Sequence, residues 1–497
     1  MAKTNKDAGT EPVGKVDHIN VRMYRMGTGD FFLLQFKKRE KVTFNLLIDC
    51  GCIQAKKEDF KTYVRQLAKD THGVIDLLIV THEHADHING FELASEVFEK
   101  EITIKTVWFA WTESKEDNLA NDLRENHSAV RAAVASATEK LTGLMKDKYF
   151  ESIYQDDHNF KFLQEGKKMF IASLGKVNNL NVNKNKQSDG PIPTLEDLLR
   201  SYGVIKNKTT VKFCDPGEKF ENLPGAEGIR FFVLGPPKAE EWMKAKEKKG
   251  EGYEKRQQKS TVDLAFLNAV KSLDDLSMDT CPFDDEYIDE SNDRVKQLYS
   301  STENRWRSIE HDWLFSAGSL ALKYESSVNN TSLVIGIQFM DSERVLLFTG
   351  DAETANWKSW HEGLSWKIKA GGKTKTVDAK YLLNNTVFYK VGHHLSQNGT
   401  AKEEGLEMMP DDDLCAMVAL DLKKIMSGWL NTMPNDMIGA ELIRKTKGNL
   451  FLLGDREKIL RNIQTSRVSV NSTNLKSLDK NNARFDGKLF LDYLISE

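Results

Sequence analysis

The run Thr81-His82-Glu83-His84-Ala85-Asp86-His87 constrains this chain more than any other, because it sets three imidazoles and a carboxylate directly after the apolar stretch IDLLIV. A short apolar stretch entering a polar turn reads as a buried strand. Imidazole nitrogen and carboxylate oxygen are donors that Zn, Mn or Fe prefer. One loop does not complete a two-ion site, in which ions roughly 3.5–4 Å apart share bridging ligands. Further ligands have to come from distant segments, so the chain must gather several strand ends at one place.

Two segments offer such ends. Asp351 in Thr349-Gly350-Asp351 follows the apolar ERVLLF, and the pair His393-His394 in Lys390-Val391-Gly392-His393-His394-Leu395-Ser396 follows NTVFY. A third apolar run, FNLLIDCG at 44–51, delivers Asp49 to its end. Elsewhere, residues 17–25 and 31–36 read as hairpin strands around Gly27-Thr28-Gly29-Asp30, and 57–70 as a helix. Strands are expected at 209–214, at 229–237 and, as two neighbours, at SLALKYES and SLVIGIQF. LCAMVALD, a helix from Pro434 and NLFLLGD continue the α/β pattern. The division that follows is a polar tail (1–14), core (15–111), a helical insertion (112–208) with an Asn/Lys-rich part at 177–188, and core strands (209–238). After these come a charged insertion (239–312), core (313–455) and a C-terminal extension of the core (456–497).

A net charge of −4 over 497 residues argues neither for nor against a nucleic-acid partner. The lysines from Lys244 to Lys259 alternate with Glu247, Glu251 and Glu254 at helical spacing, which reads as a solvated helix. Trp108, Trp111, Trp306, Trp313, Trp357 and Trp360 read as core packing before stacking faces. Five scattered cysteines, with Cys50-x-Cys52 read as structural, fit a reducing compartment. With no apolar run near the ~20 residues that span a bilayer, a cytoplasmic protein without a membrane partner is expected. His18, His72, His127, His158, His311 and His361 read as ordinary surface or core residues.

The HxHxDH run resembles the signature of the metallo-β-lactamase superfamily, and LLIDCG, FTGDAE and VGHHLS resemble its other motifs in order. Gly29-Asp30, the stretch Asn329-Asn330-Thr331-Ser332-Leu333-Val334, LLFTGDAE and the paired histidines are similar to the soluble hydrolase domain of bacterial competence-type DNA-uptake proteins. Bacterial phosphorylcholine esterases are similar in the same motifs. The resemblance implies an α/β fold of the αββα type, two mixed sheets face to face with helices outside and helical insertions. It implies two divalent metal ions, Zn with Mn as the alternative: His82 and His84 on the first, Asp86 and His87 on the second, Asp351 bridging, and one of His393 and His394 as the last ligand, His394 being favoured because Ser396 stands two residues after it. Asp86 would also act on the attacking water. His393 would contact the substrate phosphate or act as a general acid, and Asp49 would hold the ligand loop by hydrogen bonds. Asn329, Lys390 and Ser396 would line the substrate side. The extra histidine that many members carry between the HxHxDH run and the bridging Asp has no counterpart outside the insertions.

The implied activity is metal-dependent hydrolysis of a phosphodiester, in nucleic acid by likeness to the competence-type branch. The alternatives are a small phosphodiester or other ester as substrate, and a non-catalytic metal-binding subunit that docks a protein partner through its insertions.

Overall fold

The computed structural model describes residues 14–54, 56–144, 192–238, 294, 297–298, 301, 317–410, 412–424, 433–454, 470–483 and 489–497. The Asn/Lys-rich segment at 177–188, the Lys244–Lys259 stretch, Trp306, Trp313, His158 and His311 lie outside them. The chain divides into two compact units. One unites Met1–Asn121, Asn185–Lys255 and Ser327–Glu497; the other unites Asp122–Lys184 and Arg256–Ser326.

The described residues of the larger unit form two seven-stranded mixed sheets. In the first, β1 (His18–Tyr24), β2 (Phe32–Lys38), β3 (Lys41–Ile48), β4 (Val74–Ile79), β5 (Thr103–Ala110) and β6 (Thr210–Cys214) lie in sequence order. The second begins with β7 (Lys219–Leu223), β8 (Ala226–Gly235), β9 (Val334–Phe339) and β10 (Val345–Phe348). A small hairpin of β11 (Ser365–Ala370) and β12 (Lys373–Asp378) stands apart. The second sheet then adds β13 (Thr386–Lys390), β14 (Cys415–Val418) and β15 (Leu450–Leu452), and β16 (Phe490–Ser496) returns to the free edge of β1.

Alternation explains why these strands are apolar throughout. Leu346 and Phe348 enter a core shared with Phe32, Leu34, Leu46, Ile48 and Leu77 of the first sheet. Val345 and Leu347, on the opposite face, pack with Trp357, Trp360, Leu382 and Ile443 from helices. A strand buried on both faces cannot show a polar alternate. Trp108, Trp111, Trp357 and Trp360 are all core residues, so they offer no stacking surface.

Among the described residues the α-helices are α1 (Lys57–Asp70), α2 (Ala85–Leu93), α3 (Ser95–Glu101), α4 (Asn118–Leu144), α5 (Leu195–Ser201), α6 (Ala317–Asn329), α7 (Thr354–His361), α8 (Ala379–Asn384), α9 (Asp436–Lys445) and α10 (Ser472–Ala483). α1 buries Phe60, Val64, Leu67 and Ala68, one face at helical spacing. One expectation fails: SLALKYES is not a strand but part of α6. Its buried residues, Ala321, Tyr324 and Val328, recur at intervals of three and four, which the local β-like composition obscures. In the smaller unit, the ring of His127 meets Tyr324 edge-on at 5.5 Å.

Candidate metal centre

Four strand ends build the site. β3 and β4 run parallel and in register, so Asp49 and the Thr81–His87 loop leave the first sheet side by side. β10 and β13 are parallel in the second sheet and release Asp351 and His393-His394 in the same way. The backbone N–H of Leu333 donates to Thr81 O at 2.9 Å, tying the approach to β9 to the histidine loop.

These ends meet where there is no room for extra atoms. A Cβ on Gly51 would lie 2.2 Å from the carbonyl carbon of Asp86, and one on Gly392 would lie 2.2 Å from Gly399 O. Consecutive residues His393 (φ 45°), His394 (φ 48°) and Leu395 (φ 67°) are left-handed. Each such non-glycine residue costs on the order of 1–2 kcal/mol, so the surrounding contacts hold this turn in place. Among them, His393 N donates to Gly350 O at 3.3 Å and Ser396 N to His393 O at 2.8 Å.

At the centre, Asp86, His87, Asp351 and His394 each offer one donor atom, all within 4.8 Å of one another and all buried. The proton inventory fixes what those atoms are. His87 Nδ1 lies 2.7 Å from Asp49 Oδ2, a carboxylate oxygen that only accepts, so the ring's proton is on Nδ1. His394 Nδ1 donates to Ala419 O at 3.0 Å. Both rings therefore turn Nε2 inward. His87 Nε2 lies 3.2 Å from Asp351 Oδ2, and His394 Nε2 lies 3.2 Å from Asp86 Oδ2. Neither Nε2 atom has a hydrogen-bond partner, and neither do Asp86 Oδ1 and Asp351 Oδ1. Lone pairs facing carboxylate oxygens in a buried space repel unless a proton or a cation lies between them. The donor set of two imidazoles and two carboxylates fits a divalent cation.

The electrostatics follow the same logic. Burial works against the charged imidazoles, but Asp351, Asp30 and Asp49 raise His87 well above its ordinary pKa. Asp351 and Asp86 likewise raise His394 against its burial. Burial acts to raise Asp351 and Asp86, yet His87 and His394 hold both carboxyls below the usual range. Without a cation the cluster binds protons in its place. Burial lowers His82 well below its normal value and His84 to about 4, so both stay neutral. His82 Nε2 and His84 Nδ1 are 3.1 Å apart. Two nitrogens on one tetrahedral zinc with bonds of ~2.0–2.1 Å would be ~3.3 Å apart.

Asp49 is fully satisfied. It accepts from Thr81 N (2.8 Å), Thr81 Oγ1 (2.6 Å) and His87 Nδ1 (2.7 Å), and burial raises its pKa. Asn329, at the end of α6, donates from Nδ2 to Glu353 Oε1 at 3.1 Å. Ser396 is buried and turned away to Asn398 Oδ1 at 3.0 Å. His393, unlike His394, is not in the four-residue group. Lys390 is 1% exposed and therefore not a solvated strand-end lysine. Its ammonium pairs with Asp30 Oδ2, donates to Gly350 O at 3.0 Å and lies 3.6 Å from Asp351 Oδ1.

Sequence reasoning assigned no role to Asp30, Thr81, Ser332, Glu353 or Asn398. Asp30 bonds the ligand loop through its backbone, N to Asp86 O at 2.9 Å, and lies 3.7 Å from His394 Nδ1. The Gly29-Asp30 turn before an apolar strand was the available signal. Ser332 Oγ accepts from Asp351 N at 3.1 Å and sits 3.3 Å from His82 Nδ1. It stands within the stretch at 329–334 that carries the resemblance, but nothing there assigns the serine a task. Comparison with protein-family models, curated proteins and solved structures gives no match for this chain. Among the described residues, no helix is long and apolar enough to cross a membrane.

Proposed function

We propose that this chain is a metal-dependent hydrolase of the metallo-β-lactamase superfamily, with the αββα arrangement of that family and two divalent ions, Zn first and Mn second. The observation that carries the reading is the buried group Asp86, His87, Asp351 and His394, whose two Nε2 atoms point inward with no hydrogen-bond partner. His87, Asp86 and His394 would hold one ion, His82 and His84 the other, with Asp351 between them. Bound ions would make water acidic enough to act as a nucleophile near neutral pH and offset negative charge growing on a phosphoryl oxygen.

The chain's own residues do the rest. Asp86 orients the attacking water and accepts its proton. Asp49 keeps His87 in the tautomer that presents Nε2, and Ala419 O does the same for His394. Lys390 neutralises Asp30 and steadies the Gly350-Asp351 turn, a different task from the substrate contact expected of it. A phosphodiester is the proposed substrate, and nucleic acid its proposed source, on the motif resemblance alone.

The test uses metal-free, Zn-loaded and Mn-loaded protein with single- and double-stranded DNA, RNA and bis-nitrophenyl phosphate. Cleavage that requires metal and disappears in the Asp86→Ala/His87→Ala variant is the expected result. Cleavage of the small ester alone removes the nucleic-acid part. No turnover of any phosphodiester by metal-loaded protein removes the phosphodiesterase reading.

A further inference from the structure

We infer that Glu353, acting through Asn329, fixes the tautomer of His393 so that its Nε2, beside the metal centre, carries no proton and accepts from Asn329. The hydrogen-bond inventory stands without the hydrolase reading; the consequence for catalysis rests on it. Glu353 closes the LLFTGDAE run without a role legible there, and Asn398 carries no signature in the sequence.

The inventory runs in one direction. A carboxylate oxygen accepts, so Glu353 Oε1, 3.1 Å away, orients the Asn329 carboxamide with its nitrogen toward Glu353. The same Nδ2 lies 3.4 Å from His393 Nε2. An amide nitrogen only donates, so Nε2 has to accept and carries no proton. The ring proton then sits on Nδ1, where Asn398 Oδ1 receives it at 3.1 Å. That oxygen also accepts from Ser396 Oγ at 3.0 Å; with Nε2 set as the acceptor, the Asn398 carboxamide has to present its oxygen to Nδ1. The turn that carries Glu353 also anchors Asn398, since Thr354 N and Thr354 Oγ1 donate to Asn398 O at 2.9 and 3.1 Å. One turn therefore controls both faces of the His393 ring.

One atom is left over. Asn329 Oδ1 is buried with no hydrogen-bond partner. With the single Nε2 lone pair taken by Asn329 Nδ2, Asn329 Oδ1 is the acceptor left on this wall of the site, and an acceptor recognises a donor: a hydroxyl or amino group on the substrate, or the attacking water. His393 accordingly takes a hydrogen bond where a general acid would give one, and Glu353 is a positioning residue that need not touch the substrate.

The tautomer is read directly by long-range nitrogen–proton correlation NMR on protein labelled with 15N-histidine, with the His393 signal assigned by its loss in His393→Gln. The expected pattern, in chelated and in zinc-loaded protein, is a protonated Nδ1 and a bare Nε2. A protonated Nε2, alone or in a doubly protonated ring, overturns the inference. Glu353→Gln, which can both donate and accept, releases the Asn329 carboxamide, so mixed tautomers are expected. With them should come a fall in kcat on the order of 10-fold and little change in KM, as for one lost hydrogen bond in the reacting state. An unchanged tautomer in Glu353→Gln also overturns it. Should that variant fail to fold, Asn398→Asp and Asn398→Leu decide: the first keeps the acceptor and the Nδ1–H pattern, the second loses it, and equal behaviour of the two counts against the inference. Absence of turnover in the wild-type protein, by contrast, would sink the hydrolase reading and leave the tautomer standing.

Discussion

The two sheets repeat one plan. In the first, β16, β1, β2 and β3 pair antiparallel and β3 to β6 parallel; in the second, β7 to β10 pair antiparallel and β10, β13, β14 and β15 parallel. Equivalent strands deliver equivalent chemistry, a carboxylate after β3 (Asp49) and after β10 (Asp351), and histidines after β4 and after β13. Yet the carboxylates have opposite fates. Asp49 accepts three protein hydrogen bonds, whereas Asp351 Oδ1 has none. The strand end supplies the group, and the local count of donors decides whether it is spent on the scaffold or left for a ligand.

The sharpest way to break that contrast is to remove each carboxylate in turn. Asp351→Ala should abolish metal retention and hydrolysis, because its Oδ1 accepts no hydrogen bond from the protein and is left to the ligand. Asp49→Ala should instead lower stability by about 3–5 kcal/mol, the usual cost of stranding a buried charged partner, here His87. Metal content by mass spectrometry and denaturant unfolding separate the two. Equal losses of metal and equal losses of stability would erase the distinction.

A smaller effect sharpens the comparison within the second sheet. His394→Ala should weaken zinc affinity by more than the roughly 10- to 100-fold that loss of an outlying hydrogen-bond partner costs. His393→Ala should stay below that range. Calorimetric titration of zinc into metal-free protein measures both, and a greater loss for His393→Ala would reverse the ligand assignment.

The smallest effect is in pH. His87 and His394 are raised in the folded, metal-free chain. Their contribution to stability is complete below the unfolded value of ~6.5 and is lost as pH climbs through their folded values. Asp86 and Asp351 are lowered, so theirs is present above ~3.8 and is lost as pH falls through their folded values. Chelated protein should therefore lose Tm as pH rises above ~6.5 and through the folded values of His87 and His394. Zinc affinity should rise over the same interval, since the ion displaces those protons. A Tm that climbs with pH in chelated protein would contradict the proton-for-metal exchange.

The residues that meet at the centre were legible because each stands at the end of an apolar run, and a run that stops on His or Asp advertises its own end. α1 was legible for the same kind of reason, a long stretch with one apolar face. Less of the rest could be read. Strand Thr103–Ala110, with Lys105 and Trp108 on it, and the hairpin Ser365–Asp378, rich in lysine and threonine, carry weak periodicity. The plan shared by the sheets leaves no repeat in the sequence, because pairing geometry constrains backbone and burial but not identity. The roles of Glu353 and Asn398 are invisible in sequence for a further reason: they lie in which atom of a neighbour each orients, a property of distance alone.

The attachment of β16 to β1 has a consequence for how such a chain matures. Arg22 bonds Asp492, 470 positions away, so the outermost pairing of the first sheet forms only after nearly everything between has been made. Until then β1 presents a bare edge of backbone donors and acceptors, the template on which foreign strands add. A nascent or shortened chain lacking residues 490–496 would thus meet its greatest hazard far from the metal ligands, in sticking to its neighbours.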